Sequence, residues 1–478
     1  MRKNILSFPL LPVVLVLVFL SGQAFAVVST GDYDERKDAE CIGCHINVTP
    51  GIVKQYLSSP MANTEKEDEN VGCTDCHDEK HTTMEDFAKA EMPTAITCGD
   101  ECHKKQLRQM REGKHNLAWF GMKSQVAWHG LPGSIGKKGY RGCSGCHKLG
   151  EKGLLGIQDG NKDAELKRDG GKEASQYRYG NAQCDACHTR HTFRKEEARD
   201  PRACSNCHMG FDHPQWEMYM SAKHGIIWDI EGNKTFDSRA PTCQSCHMSK
   251  GDHAVVTPWG FLGLRIPTKE NVLALIEVAP SLEKNLKSLA AALPSGHYDG
   301  VDDDPQWTFD RAIILQAAGI LDEGLQPTER FIEIVVQGQA ARGPEAFNEI
   351  RKKMKHNCNT CHSKGFVQSH FDAADQIIKD ADHLFAGAIQ EVQGLYKDGI
   401  LKKPEGWKYA PDLLQYYTAR TSIEQELYLI MLEYRQRTFQ GAFHASNDYM
   451  HWYGWAPLNT AVNNIKEEAK RMRAEHKK

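Results

Sequence analysis

The chain has 478 residues, 26% charged and 40% hydrophobic, with a formal net charge of −4. This is ordinary globular composition, and the absence of a basic excess argues against a nucleic-acid partner. Its sixteen cysteines are the informative count.

Residues 1–26 begin with Arg2 and Lys3, continue as an apolar run from Ile5 to Leu20, and close on Ser21-Gly-Gln-Ala24-Phe-Ala26. A charged start, an apolar centre and a small-x-small ending describe a signal peptide cut after Ala26. The run carries Pro9 and Pro12 and is short for a membrane span. No second apolar run follows, so a soluble, periplasmic or otherwise extracytoplasmic mature protein is expected.

Residues 27–257 hold seven cysteine motifs and an eighth lies further on. They read Cys41-Ile-Gly-Cys44-His45, Cys73-Thr-Asp-Cys76-His77, Cys98-Gly-Asp-Glu-Cys102-His103 and Cys143-Ser-Gly-Cys146-His147. Then come Cys184-Asp-Ala-Cys187-His188, Cys204-Ser-Asn-Cys207-His208, Cys243-Gln-Ser-Cys246-His247 and Cys358-Asn-Thr-Cys361-His362. Each joins two thioethers to a c-type haem and sets the following histidine on the iron. One such motif could hold zinc or a disulfide. Eight that consume every cysteine point to eight covalent haems, which also agrees with export. The third motif has one extra residue between its thiols, which should bulge the loop without preventing attachment. So little polypeptide separates the first seven motifs that their haems must stack as an electron wire.

Residues 258–355 carry no motif and read as a mostly helical insert. Pro344 opens a helix from Glu345 to Lys355 that delivers the chain to the last motif. Residues 356–478 read as haem 8 with C-terminal helices. One apolar face runs Ala374, Ile377, Ile378, Ala381, Leu384, Phe385, Ala388, Ile389, Val392 and Leu395. A second run spans about Asp412 to His444. Together they predict an antiparallel helical pair on haem 8. Strand signals are nearly absent. The expected fold is therefore mainly α: a loop-rich N-terminal part of stacked haems and a long-helix C-terminal part.

Of the 22 histidines, eight are proximal ligands and fourteen remain. A pure wire would need eight distal ligands and an enzyme with one open iron seven, so counting does not separate the two. His81 and His191 follow their motifs closely enough to ligate a neighbouring haem. His115 and His129 are also taken as distal ligands from the pool, while His297, His383 and His476 lie in polar settings. His356, His370 and His451 share the pool.

The stretch from Cys184 to Tyr219, which contains His208-Met-Gly-Phe-Asp212-His213-Pro-Gln-Trp-Glu, resembles the octahaem hydroxylamine oxidoreductase family, as does Cys246-His-Met-Ser-Lys-Gly-Asp-His253-Ala-Val-Val-Thr-Pro-Trp-Gly-Phe261. His213-Pro-Gln-Trp-Glu also looks like a segment of the pentahaem nitrite reductases, but the lysine motif C-x-x-C-K that most of those use does not occur here. The resemblance implies that the haem on Cys143, Cys146 and His147 is catalytic, with Asp212 and His213 over its open side. It further implies His224, His253 and His444 as distal ligands. A distal-ligand role for His213 stays open. A tyrosine bonded to the catalytic haem of a neighbouring subunit marks the oxidising members; Tyr449 is the first candidate and Tyr453 the second, against ordinary core tyrosines. The family implies a homotrimer, a small nitrogen compound as substrate, and a soluble or membrane cytochrome or quinone-linked redox partner. Three functions follow in order: oxidation of hydroxylamine or hydrazine at haem 4, reduction of nitrite to hydroxylamine or ammonium on the same scaffold, and a non-catalytic conduit.

Overall fold

The structure is a computed structural model that describes residues 36–66, 69–90, 93–118, 146, 149, 184–210, 212–232, 238–260, 263, 265–300, 304–337, 341–415 and 421–477. Among these, extended backbone pairs only as a bridge between Leu321 and Pro327. Everything else is helix, turn or loop. No helix among the described residues is long and apolar enough to cross a membrane.

The N-terminal part is a series of short helices, several of them made by the motifs themselves. Cys73–His77 and Cys243–His247 are each a single helical stretch. The reason is spacing: residues three and four apart lie on one face of a helix, so one turn presents both thiols and the histidine together. In the regular motifs the histidine N–H returns to the first cysteine's carbonyl, at 3.0 Å for His188, 2.9 Å for His208 and 3.0 Å for His362. The third motif absorbs its extra residue as one wider turn. His103 N–H still reaches the Cys98 carbonyl, at 3.1 Å.

Helix α1 (Ala39–Val48) carries the first motif and α2 (Pro50–Leu57) follows it. Helices α3 (Gln215–Ser221) and α4 (Lys223–Ile230) follow the sixth. In the insert, α5 (Pro305–Ala317) starts on Asp304, whose side chain accepts the Trp307 N–H, with Pro305 at the first helical position. Helix α6 (Pro344–Cys358) has its proline in the same place and runs directly into the eighth motif.

The C-terminal part is an up-down-up bundle. Helix α7 (Lys364–Lys397) is capped by Ser363 and ends before Gly399, whose φ of +72° suits glycine. Its predicted apolar face from Ala374 to Leu395 is buried except at Ile377 and Leu384, which are half-buried, and the buried stripe starts earlier, at Val367. The returning helix consists of α8 (Ser422–Leu429), a π-helical turn at Ile430–Tyr434 and α9 (Arg435–Phe443). It is antiparallel to α7: Tyr396 meets Glu424 at one end and Phe371 meets Phe443 at the other. This helix begins at Ser422, ten residues later than its apolar pattern suggests. Leu413 and Leu414 are buried, but in a turn, where Leu413 N–H bonds the Ala317 carbonyl and Asp412 pairs with Arg330.

A third helix, unread in the sequence, completes the bundle. It continues from a π-helical turn at Met450–Trp455 into α10 (Ala456–His476). Leu458, Ala461, Val462, Ile465 and Ala469 form its buried stripe, diluted by charged neighbours. The predicted pair is therefore a trio. Phe385, Ile389 and Val392 of α7 meet Leu427, Ile430 and Met431 and also Leu458, Val462 and Ile465. Each large side chain so buried contributes about 1.5–3 kcal/mol.

Candidate multihaem site

Histidine rings oppose each other across the interior. His45 faces His81 at 6.0 Å between centroids, His77 faces His191 at 6.3 Å, and His188 faces His253 at 6.3 Å. His208 faces His115 at 6.1 Å, His247 faces His444 at 6.3 Å, and His362 faces His224 at 6.1 Å. Each pair joins a motif histidine to a histidine from elsewhere. The spacing tests what fits between them. An imidazole nitrogen sits about 2 Å from a metal and its ring centroid about 1 Å further back, so two imidazoles on opposite sides of one iron are about 6 Å apart. Burial also pushes His191, His208 and His247 down to about 4, helped by neighbouring histidines. They are thus kept in the neutral form that ligates metal. A cavity of about 3070 Å³, lined by motif residues, runs past all six pairs. The residues fit c-type haems.

Cysteine contacts order the motifs in space. The thiols of Cys41 and Cys73, Cys98 and Cys184, Cys204 and Cys243, and Cys207 and Cys146 lie within hydrogen-bond reach of each other, with no disulfide between them. Cys76 lies within electrostatic reach of Cys98 and Cys102, Cys187 of Cys204, and Cys246 of Cys358 and Cys361. The path therefore runs through motifs one, two, three, five, six, seven and eight. The fourth motif branches off at the sixth. That branch is invisible in the linear order.

Beside the branch lies the pair predicted to be chemical. His213 Nδ1 is 2.5 Å from Asp212 Oδ1, just before Pro214 leads into α3. Burial works against a charge on His213, but the hydrogen bond and charge of Asp212 outweigh it and hold the imidazole above its ordinary value. His213 also stands edge-on to His208 at 5.9 Å. His115 already opposes His208, so His213 is not needed as the sixth motif's second ligand. The pair is half-exposed, at 31% for His213 and 36% for Asp212, and lines the common cavity.

Several predicted residues lie elsewhere. Cys143, His147 and His129 fall outside the described residues. His297, His356, His383, His451 and His476 are exposed, with His383 Nδ1 3.0 Å from Asp310. His370 lines the cavity near His362. Tyr449 is partly buried and stacks on Tyr453 at 4.9 Å, and next to them Trp452 and Tyr453 are 64% and 57% exposed.

Sequence reasoning missed the groups behind the histidines. His208 Nδ1 is 3.2 Å from Gln215 Oε1, and Gln215 in turn donates to Gln440 Oε1 at 2.7 Å. The Gln440 carbonyl lies 2.7 Å from His444 Nδ1. Only tertiary structure joins residues so far apart in the chain.

The fold and the paired ligands define a multihaem cytochrome c. Residues 69–262 and 337–407 match the family described as seven times multi-haem cytochrome CxxCH, and the chain belongs to that family. Residues 23–78 match the family of cytochrome c554 and c-prime. Within the multihaem cytochromes its likeness is to hydroxylamine-oxidoreductase-like members. A probable nitrite reductase-hydroxylamine oxidoreductase fusion protein of Kuenenia stuttgartiensis is 25% identical, over 91% of this chain and 51% of that protein. The chain thus spans about half the length of this curated relative. Two solved structures share the fold. A reducing HAO-like protein complex of Kuenenia stuttgartiensis is 22% identical with a TM-score of 0.56, over 91% of this chain and 85% of that one. A hypothetical multiheme protein is 19% identical with a TM-score of 0.61, over 95% and 100%.

Proposed function

We propose that the chain is an extracytoplasmic octahaem enzyme that reduces a small oxidised nitrogen compound, nitrite foremost, at the fourth motif. The carrying observation is the Asp212–His213 pair beside Cys146, at a branch of an otherwise two-histidine path. Six motifs have an opposing histidine among the described residues, and His129 is the candidate for the third. Haems bound to the motifs would supply one-electron transfer, and the one that Cys143, Cys146 and His147 would hold is where substrate would be reduced. Asp212 accepts from His213 Nδ1 and thereby leaves Nε2 to hold and deliver a proton. Reduction of a nitrogen–oxygen bond consumes protons with electrons, and a positioned acid of this kind contributes about 10²–10⁴-fold.

The tyrosines and one relative's name support this direction. The solved complex is named as reducing, the fusion relative is named nitrite reductase as well as hydroxylamine oxidoreductase, and Tyr449 stacks on Tyr453 of its own chain. A second reading, oxidation of hydroxylamine or hydrazine, draws support from the exposed turn of Trp452 and Tyr453, which a neighbouring subunit of a homotrimer could receive. The deciding experiment assays the haem-loaded protein both ways. Nitrite-dependent oxidation of a reduced dye, lost in His213→Ala with all haems still attached, is the expected result. Rapid hydroxylamine oxidation without nitrite turnover would establish the second reading. Eight six-coordinate haems with no cyanide-binding iron would leave a conduit only.

A further inference from the structure

An axial imidazole has a second ring nitrogen, and the group that accepts its proton tunes the metal on the other side. A neutral oxygen does so weakly. His45 Nδ1 has Thr49 Oγ1 at 2.8 Å, His253 Nδ1 the Gly251 carbonyl at 3.0 Å, and His444 Nδ1 the Gln440 carbonyl at 2.7 Å. His81 is different: its Nδ1 lies 2.8 Å from Asp86 Oδ1, a carboxylate. A carboxylate draws the imidazole proton toward itself, gives the ring imidazolate character and favours the more positive, oxidised metal.

Asp86 is built into this position. Its Oδ1 also accepts the backbone N–H groups of Thr82 and Thr83 at 3.0 and 2.9 Å, and Lys89 Nζ lies 3.8 Å from Oδ2. The sequence His81-Thr-Thr-Met-Glu-Asp86 thus folds back on itself to aim one acid at one imidazole. The place matters too. The first motif is an end of the cysteine path, with Cys44 exposed and Val48 and Ile52 exposed beside it on α1 and α2. At this surface an outside protein can come close to the terminal haem.

The geometry points to Asp86 as the residue that sets the first haem at the low-potential end of the wire. Electrons from a strongly reducing one-electron donor protein then enter at α1 and α2 and run downhill through the second and third motifs. Each step passes one electron and makes or breaks no bond. The direction of flow rests on the reductive reading above; the lowered potential does not.

Potentiometric titration of the haem-loaded full chain, followed by absorption and electron paramagnetic resonance, tests the inference. Asp86→Asn keeps an acceptor oxygen and removes the charge. One haem among the lowest-potential group should then become easier to reduce by about tenfold in its oxidised-to-reduced ratio, about 59 mV for a one-electron couple. Asp86→Glu should restore it. If no haem shifts, or the one that shifts lies among the high-potential haems, the inference is overturned. A measurement on the unaltered protein guards against a variant that fails to mature. One low-spin signal should show the compressed g-spread of an imidazolate-like ligand, and its absence would sink the idea. Nitrite turnover is scored separately: a shifted potential without turnover would refute the function and leave Asp86's role standing.

Discussion

His213 and Asp212 carry the first prediction. Because Asp212 holds the imidazole above its ordinary value against the opposing effect of burial, His213 keeps its proton to higher pH than an ordinary imidazole does. If that proton is delivered to substrate, turnover falls as pH rises through the His213 value. Asp212→Asn removes the charge and leaves burial, so the limb should move to lower pH while the low-pH plateau survives in part. A pH profile of kcat with unchanged limbs would separate the pair from the chemistry. Asp86 gives a second pH test. The Thr83 backbone N–H and His81 hold its carboxyl at about 2, below the ordinary 3.8. For a depressed acid, stabilisation is present above the ordinary value and lost as pH falls through the folded one. Between pH 4 and about 2, the loop carrying His81 should let go, seen as one haem turning from low to high spin.

Two helices of the C-terminal bundle and one of the insert meet at one buried carboxylate. Asp382 of α7 accepts from Arg435 Nε of α9 at 2.5 Å and from Trp307 Nε1 of α5 at 2.9 Å. Asp382 and Arg435 are 0% and 1% exposed. Removing one partner of such a pair strands the other's charge in the interior, so Asp382→Ala should cost about 3–5 kcal/mol. Denaturant unfolding should show the loss together with weakened binding of His444, because α9 carries that ligand at its end. The π-helical turn at Met450–Trp455 depends on close approach. A Cβ on Gly454 would lie 2.5 Å from the Thr438 backbone nitrogen, so Gly454→Ala should push the turn bearing Tyr449 and Tyr453 away from α9. Altered protease sensitivity of that turn would report it.

For the molecule as a whole the proposed assembly is a homotrimer, closed by cyclic symmetry. Exposed Trp452 and Tyr453 give its contact an apolar patch. Mass measurement at micromolar concentration should find the trimer, and Trp452→Glu should shift it toward monomer. Only a monomer in the native protein would defeat the assembly. Mass spectrometry of the peptide bearing Cys143 and Cys146 decides the direction of reaction independently: neither Tyr449 nor Tyr453 should travel with it if the enzyme is reductive.

What could be read without a structure is what rests on short spacing. A C-x-x-C-H motif announces its chemistry because one helical turn suffices to assemble it, and the face of α7 from Ala374 to Leu395 shows because nearly every inward position is apolar. Helix α10 escaped, since burial against two neighbours demands only a narrow stripe, here interrupted by Asn, Lys and Glu. The start of α8 was misplaced because buried leucines at 413 and 414 serve a turn equally well. The second ligand of most motifs and the branch at Cys146 belong to tertiary structure. An iron between two imidazoles fixes a distance in space and leaves their separation along the chain free, so His208 can take His115, and His362 His224, with nothing in the local sequence to say so.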